Sequence, residues 1–273
     1  MRGIIEEWRE MRIIDCHCHV YPQAVAARAV KGVADFYERE GSFGDGLASS
    51  VRSLWKEKGV DHAVIFSVAT KLSQVDNINS FIASAVAGGE GFFTGLGTVH
   101  QDVPDMGQAV EAVIGLGLKG IKLHPETQGV AVDDPRLLAL YEACADRIPV
   151  LIHTGDYRYD CSNPDRMARV LRLFPHNVFI GAHYGGWSVW DEAADKLHGF
   201  DNFFVDSSST FHWVDKDRVR GYIRTYGSEK VMFGSDFPMW DVRPEIDGML
   251  SLGLSDSEYE DIFHRTAEKL FGI

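Results

Sequence analysis

The stretch IIDCHCHVYP, residues 13–22, alternates two cysteines with two histidines. In an extended strand, successive side chains point to opposite faces. His17 and His19 therefore share one face, and Cys16 and Cys18 the other. Residues two apart have Cα atoms about 6.6 Å apart. Two imidazoles at that spacing can converge on one ion through Zn–N bonds of about 2.0–2.1 Å. A mixed His–Cys site within the strand would need ligands from both faces at once. The spacing makes the histidines candidate metal ligands and points both cysteines outward, under whatever covers the sheet. For this pair alone, two hydrogen-bonded core histidines would explain the sequence equally well.

Other residues change that balance. His124, His153, His183 and Asp236 each close a short apolar run. Burying several unpaired imidazoles costs stability, and a shared metal removes the cost. Eight such runs are legible: 12–20, 62–68, 92–99, 120–124, 149–153, 177–183, 202–208 and 230–236. Helical patterns separate them, over 74–87, 106–116, 135–146, 164–174, 188–197, 216–226 and 243–250. The segment 22–59 has room for two helices around the break EGSFGDG, and a last helix over 255–271 opens on the cap SDSE. Strand–helix alternation with apolar strands argues for a parallel sheet. Eight units point to a single-domain α/β protein, a (β/α)8 barrel over residues 1–273, more than to a doubly wound sheet. No G-x-G-x-x-G follows the first strand, so nothing favours a dinucleotide fold. In such barrels the active site lies at the C-terminal strand ends, where these polar residues fall.

The ordered set His17-x-His19, LIHTG at His153, GAHYGG at His183 and FGSDFP at Asp236 resembles the amidohydrolase superfamily. It is most similar to the amidohydrolase-related (amidohydrolase 2) branch, which holds hydrolases, lactonases and metal-dependent decarboxylases. The resemblance spans nearly the whole chain and implies a TIM barrel of the metallo-dependent hydrolase type. It implies His17, His19, His153 and Asp236 as ligands of one divalent metal. It makes Asp236 and His183 catalytic, with His183 binding a second metal in binuclear relatives. The departure is on the fourth run, where many binuclear relatives carry a carboxylated lysine or a glutamate. Here Lys122 and His124 share a face, and Glu126 follows Pro125 as a loop residue. Lys122 could bridge two metals if carboxylated; the reading preferred here is a charged barrel residue or a partner for a substrate carboxylate.

Three histidines and an aspartate leave room for a water, whose pKa a bound dication lowers towards about 7. Zinc suits imidazole-rich ligation, with manganese, iron or cobalt as alternatives. Asp236 can take the water's proton and pass it to a leaving group, while His183 orients the water or stabilises an oxyanion. The leading expectation is hydrolysis of an amide or ester, lactones included, in a small carboxylated substrate. The alternative is decarboxylation of an aromatic or unsaturated acid at the same centre. His124, Lys122 and Arg158 are the expected substrate contacts, Arg158 as a bidentate carboxylate partner. Lys71 is a further candidate cation. Trp187, Trp213 and Trp240 are candidate aromatic walls, Tyr157 and Tyr159 flank Arg158, and 36–46 is a candidate cover. His212 has the weakest claim to the site.

The 273 residues are 45% hydrophobic, and 40 acids against 27 bases leave a net charge of −13. That balance disfavours nucleic acid, which asks for a basic surface. No run of 18 apolar residues suggests a membrane span. The acid-containing N-terminus lacks a signal peptide's apolar core, and four cysteines are too few for a disulfide scaffold. The expectation is a cytoplasmic enzyme with a small-molecule substrate, compatible with a homo-oligomer.

Overall fold

Each of the eight apolar runs supplies a strand, and each strand is shorter than its run. In this computed structural model, residues 11–273 are described; residues 1–10, which carry most of the acid-containing N-terminal stretch, lie outside them. The strands are β1 Ile14–His19, β2 His62–Phe66, β3 Phe93–Gly95, β4 Ile121–Leu123, β5 Val150–Ile152, β6 Phe179–Gly181, β7 Phe203–Asp206 and β8 Val231–Met232. The runs end early because their polar ends leave the ladder. His183 and Asp236, at φ 58° and 68°, adopt a left-handed backbone that no strand can continue.

All pairing is parallel, in two arcs, β1-β2-β3 and β4-β5-β6-β7-β8. Two seams join them. Gly97 bridges Ile121, and Cys18 bridges Phe237. Backbone hydrogen bonds run across both, from Lys122 N to Gly97 O at 2.8 Å and from His19 N to Phe237 O at 2.7 Å. The result is the (β/α)8 arrangement expected for alternating elements.

The helices follow their strands. After β1 come α1 Ala26–Phe36 and α2 Ala48–Glu57, then α3 Val75–Gly88, α4 Met106–Gly115, α5 Pro125–Gln128, α6 Pro135–Cys144 and α7 Pro164–Leu173. They continue as α8 Trp190–Leu197, α9 Lys216–Tyr226 and α10 Val242–Leu250. The last helix is broken by a wider turn into α11 Asp256–Glu260 and α12 Thr266–Phe271. Ser255 caps α11 in a reciprocal box with Glu258. One short element differs from expectation: Glu126 lies in helix α5, not in a loop, and is buried. Pro125 at the first helical position suits a helix start, where no N–H is needed. No helix among the described residues is long and apolar enough to cross a membrane.

Two apolar layers hold the barrel. The outer one packs residues such as Ile65, Ile121, Val150 and Phe203 against the helices. The inner one gathers Ile14, Phe66, Leu151, Ile180 and Met232, with Ala267 and Phe271 of α12 beneath them. The two cysteines fall on opposite sides of this divide. Cys18 packs outward, but Cys16 joins the inner cluster beside Ile14, against the parity expected for a regular strand. The reason is a register irregularity between Asp15 and Cys18 in the β1–β2 pairing. An extra residue in one strand shifts the side-chain alternation. Inward pointing thus passes from Ile14 and Cys16 to His17 and His19, and the layer below the histidines stays apolar.

Candidate metal centre

β1 delivers His17 and His19 to the inside of the barrel above Phe66, whose ring meets theirs edge-on at 5.0 and 4.8 Å. Their Nε2 atoms lie 3.3 Å apart. The segment after β8 brings Asp236 Oδ1 to 3.5 Å from His17 and 3.6 Å from His19. Two nitrogens bound to one tetrahedral ion at 2.0–2.1 Å stand about 3.3 Å apart. The donor spacing therefore fits a divalent cation. The free lone pairs point the right way as well. His17 Nδ1 meets Asp206 Oδ2 at 2.8 Å, so that nitrogen carries the proton and Nε2 is left as the donor atom. Asp236 Oδ2 accepts from Ser209 Oγ at 2.5 Å, and Ser209 in turn accepts from Trp240 Nε1 at 2.8 Å.

His153 and His183 form the adjoining wall. His183 Nε2 faces His153 Nδ1 at 3.1 Å, and its own Nδ1 donates to Ser208 O at 2.9 Å. The His17 and His183 rings are 5.1 Å apart. His153 also belongs to a second group with His124 and Glu126, all three buried. His124 stacks on His153 at 4.1 Å and 9°. The Tyr37 hydroxyl sits over both, 2.9 Å from His124 Nε2 and 3.4 Å from His153 Nε2. His124 Nδ1 and Glu126 Oε2 approach to 3.2 Å without hydrogen-bond geometry, and neither has another partner. Glu126 Oε1 accepts from Ser162.

Burial dominates the titration of these groups. It pushes the Asp236 carboxyl up to about 7, against the opposing pull of Ser209 and Lys122. Burial, and then the charge of His17, draws His183 down to about 3. His17, His19 and His153 are lowered chiefly by burial, with Lys122 adding to it. Lys122 itself falls to about 8 by burial, although three carboxylates raise it. A dication here would reverse the penalty on Asp236 by favouring its charged form.

Lys122 lies beneath the group, fully buried, with Nζ 3.5 Å from His17 Nε2 and 5.0 Å from the Phe66 ring centre. Arg158 is not placed as expected. Its guanidinium is committed to buried Asp156 through bonds of 2.9 and 2.7 Å and to Phe36 O at 2.8 Å. It therefore latches the end of α1 and does not line the cleft. Lys71 is exposed and also lies off the cleft. Trp187 packs on Tyr37 at 5.1 Å, whereas Trp213 is 55% exposed. His212 stacks on Trp240 at 3.3 Å, pairs with buried Glu245 at 2.7 Å and does not line the cleft. The cover segment 36–46 is tied down, with Gly44 N on Pro238 O at 2.9 Å. A Cβ on Gly44 would lie 2.1 Å from the Phe237 ring, so only glycine fits there.

Three residues here carry roles that the motifs did not reveal. Asp206 holds His17 and also accepts from His183 N at 3.1 Å. Its signal was an acid near the end of the seventh run, ahead of two serines. Asp15 accepts from Trp55 Nε1 at 2.7 Å and Ser235 Oγ at 2.6 Å, tying β1 to α2 and to the residues after β8. Tyr37 had no signal beyond its place in the cover.

The donors open into a cleft of about 540 Å³ with mainly apolar walls, including Val25, Val33, Phe36, Val68 and Met239. A second groove of about 680 Å³ lies beside Arg52, Lys56 and Phe81, and among the described residues no His, Asp or Glu lines it.

The family model described as Amidohydrolase matches residues 14–273. No curated protein matches the sequence. Among solved structures, an uncharacterised TIM-barrel protein from Bordetella bronchiseptica is similar at 19% identity and TM-score 0.76, covering 96% of this chain and 99% of its own. A 5-carboxyvanillate decarboxylase from Novosphingobium aromaticivorans, complexed with manganese and 4-hydroxy-3-methoxy-5-nitrobenzoic acid, aligns at 16% identity and TM-score 0.78, over 97% of both chains. A dihydroxybenzoic acid decarboxylase from Polaromonas sp. JS666, with bound manganese and 2-nitroresorcinol, aligns at 16% identity and TM-score 0.70, over 96% of this chain and 97% of its own. At these identities the likeness establishes the fold.

Proposed function

This chain belongs to the amidohydrolase family, and from that membership we propose a metal-dependent carboxy-lyase acting on a small aromatic or unsaturated acid. The observation that carries the reading is the cleft: mainly apolar walls ending on the His17–His19–Asp236 donors. Such a shape suits a flat ring presenting a carboxylate to the floor. The decarboxylases of aromatic acids among the similar folds support it.

His17, His19 and Asp236 would hold the ion, with His153 offered as a fourth ligand from the neighbouring group it forms with His124 and Glu126; the donor types allow manganese or zinc, and the manganese in two similar folds weighs towards manganese. Bound there, a divalent cation would chelate the substrate's carboxylate and an adjacent oxygen, or acidify a water. The protein's own part is orientation and proton handling. Asp206 and Ser209 hold His17 and Asp236 in place. The apolar walls exclude water from the ring. Asp236, charged when the ion is bound, takes a proton from a water and delivers it to the ring carbon as the bond to the carboxylate breaks. The electron pair stays on that carbon, and carbon dioxide leaves. His183, held through Nδ1 by Ser208 O and with Nε2 against His153, lines the cleft beside the donors, where its ring can orient the reacting group.

Hydrolysis is the second reading, favoured by the same Asp236, which can equally take a proton from water and pass it to a leaving group. The test loads purified protein with manganese or zinc and offers hydroxybenzoic acids and lactones. Carbon dioxide release from an acid supports the lyase. Lactone opening with no carbon dioxide from any acid would replace it with the hydrolase. The enzyme is proposed to work in the cytoplasm.

A further inference from the structure

We infer that the cleft continues beyond the metal donors into a distal subsite under α1, where Arg28 holds a second anionic group of the substrate. This rests on the reading of the site as one for a ring acid. Val25, Arg28, Ala29, Gly32, Val33 and Phe36 all line the cleft. Their spacing of three and four puts them on one helical face. Only Ala26 and Ala34 of α1 are buried, so this face roofs the cleft and is not pressed into the core.

Among the described residues lining the cleft, Arg28 is the single Arg or Lys. It makes no hydrogen bond or ion pair among the described residues. Nearby arginines are committed: Arg158 to Asp156 and Arg39 over the Trp240 ring. An unpaired guanidinium facing a cleft, in a chain of net charge −13, directs its field at whatever enters. Asn77 of α3 also lines the cleft; its side chain makes no hydrogen bond among the described residues and offers an amide.

The room for such a group is also in place. Gly32 lies mid-helix, where glycine weakens a helix relative to alanine. No packing requires it, because a Cβ there would meet no atom within 4 Å. Its place on the roof supplies a reason: the bare backbone leaves width for a ligand passing beneath. Length follows from the helix. Arg28 and Tyr37 are nine residues apart in the chain, about 13 Å of helical rise, and the Tyr37 hydroxyl marks the histidine end. An arginine side chain takes up about half of that rise, so a ligand reaching both ends needs an acceptor on its far side, which benzoate lacks. The substrate class is therefore an elongated ring acid with a second carboxylate, or a similar anion, opposite the reacting one.

The test measures binding by calorimetry to full-length, manganese-loaded protein, using benzoate, terephthalate and para-carboxycinnamate. Wild type should bind the longest dicarboxylate roughly ten- to a hundredfold tighter than benzoate, the effect of one charge-assisted contact. Arg28→Gln should bring that ratio close to one. Gly32→Leu should weaken the dicarboxylates more than benzoate. Lys119→Gln, an exposed cation at the opposite barrel end, should leave the ratio as in wild type. A wild-type ratio near one, or a ratio that survives Arg28→Gln, overturns the subsite while benzoate binding upholds the ring-acid reading. Failure of all three acids to bind overturns both.

Discussion

Two clusters share the mouth of the barrel and are built in opposite ways. In the first, made of His17, His19 and Asp236, two of the three donors are held from behind. Asp206 and Ser209 bond the atoms facing away from the centre, and the remaining lone pairs converge. In the second, His124, Glu126 and His153 are covered from in front by the Tyr37 hydroxyl, while His124 Nδ1 and Glu126 Oε2 lack hydrogen-bond partners. Supported donors with free lone pairs make a preorganised ion site. Donors capped by a side chain from a roofing helix make a surface that a ligand must compete for. The lesson is that counting histidines and acids does not separate the two; the direction of their hydrogen bonds does.

The sharpest way to break this comparison is to remove a donor from each cluster. Asp236→Asn or His17→Ala should abolish most metal binding and lower turnover by about a thousandfold or more, since ion and proton carrier go together. His124→Ala should keep the metal. Elemental analysis of the purified variants decides it, and full occupancy in both of the first two would refute the division.

Weakening the support should have a smaller effect. Asp206→Asn leaves every proposed ligand in place but loses the carboxylate behind His17. Metal affinity should fall roughly ten- to a hundredfold, with full stoichiometry at saturating metal. Titration against a competing chelator measures this, and an unchanged affinity would make Asp206 a purely structural acid.

The histidines also predict a pH dependence in metal-stripped protein. Their folded pKa values lie below the ordinary 6.5, with His183 near 3. Between those limits the unfolded chain binds protons that the folded one refuses, so stability falls as pH drops from 6.5 towards 3. Asp236, raised from 3.8 to about 7, acts oppositely, losing stability as pH rises across that window. Buried Asp15 and Glu245, also raised by burial, act with Asp236, but four histidines outnumber these three carboxyls, so the expected net slope is loss on acidification. Urea midpoints at several pH values check the sign, and His183→Asn should make the slope shallower.

The least effect is expected from the cap. Tyr37→Phe removes a hydroxyl from His124 and His153 and nothing from the first cluster. Metal content should not change, and KM should shift by about three- to tenfold. A loss of metal would mean that the clusters are one unit.

Local physics decided much of this protein before any folding. Short β-rich runs alternating with helical periods leave few ways to bury every strand, so eight strands and their order were legible. The residues at the run ends were legible too, because buried histidines and acids need a reason. What local sequence cannot carry is information about residues far apart in the chain. One irregularity in β1 sends Cys16 inward and Cys18 outward, and it exists only in the pairing with β2. Asp206 matters because 189 residues of chain return it to His17. Arg158 and Arg28 look alike as letters, yet Asp156 takes the charge of one, while the fold turns the other, without a partner among the described residues, to the cleft. A charge's role depends on what else reaches it, and only the closed barrel fixes those distances.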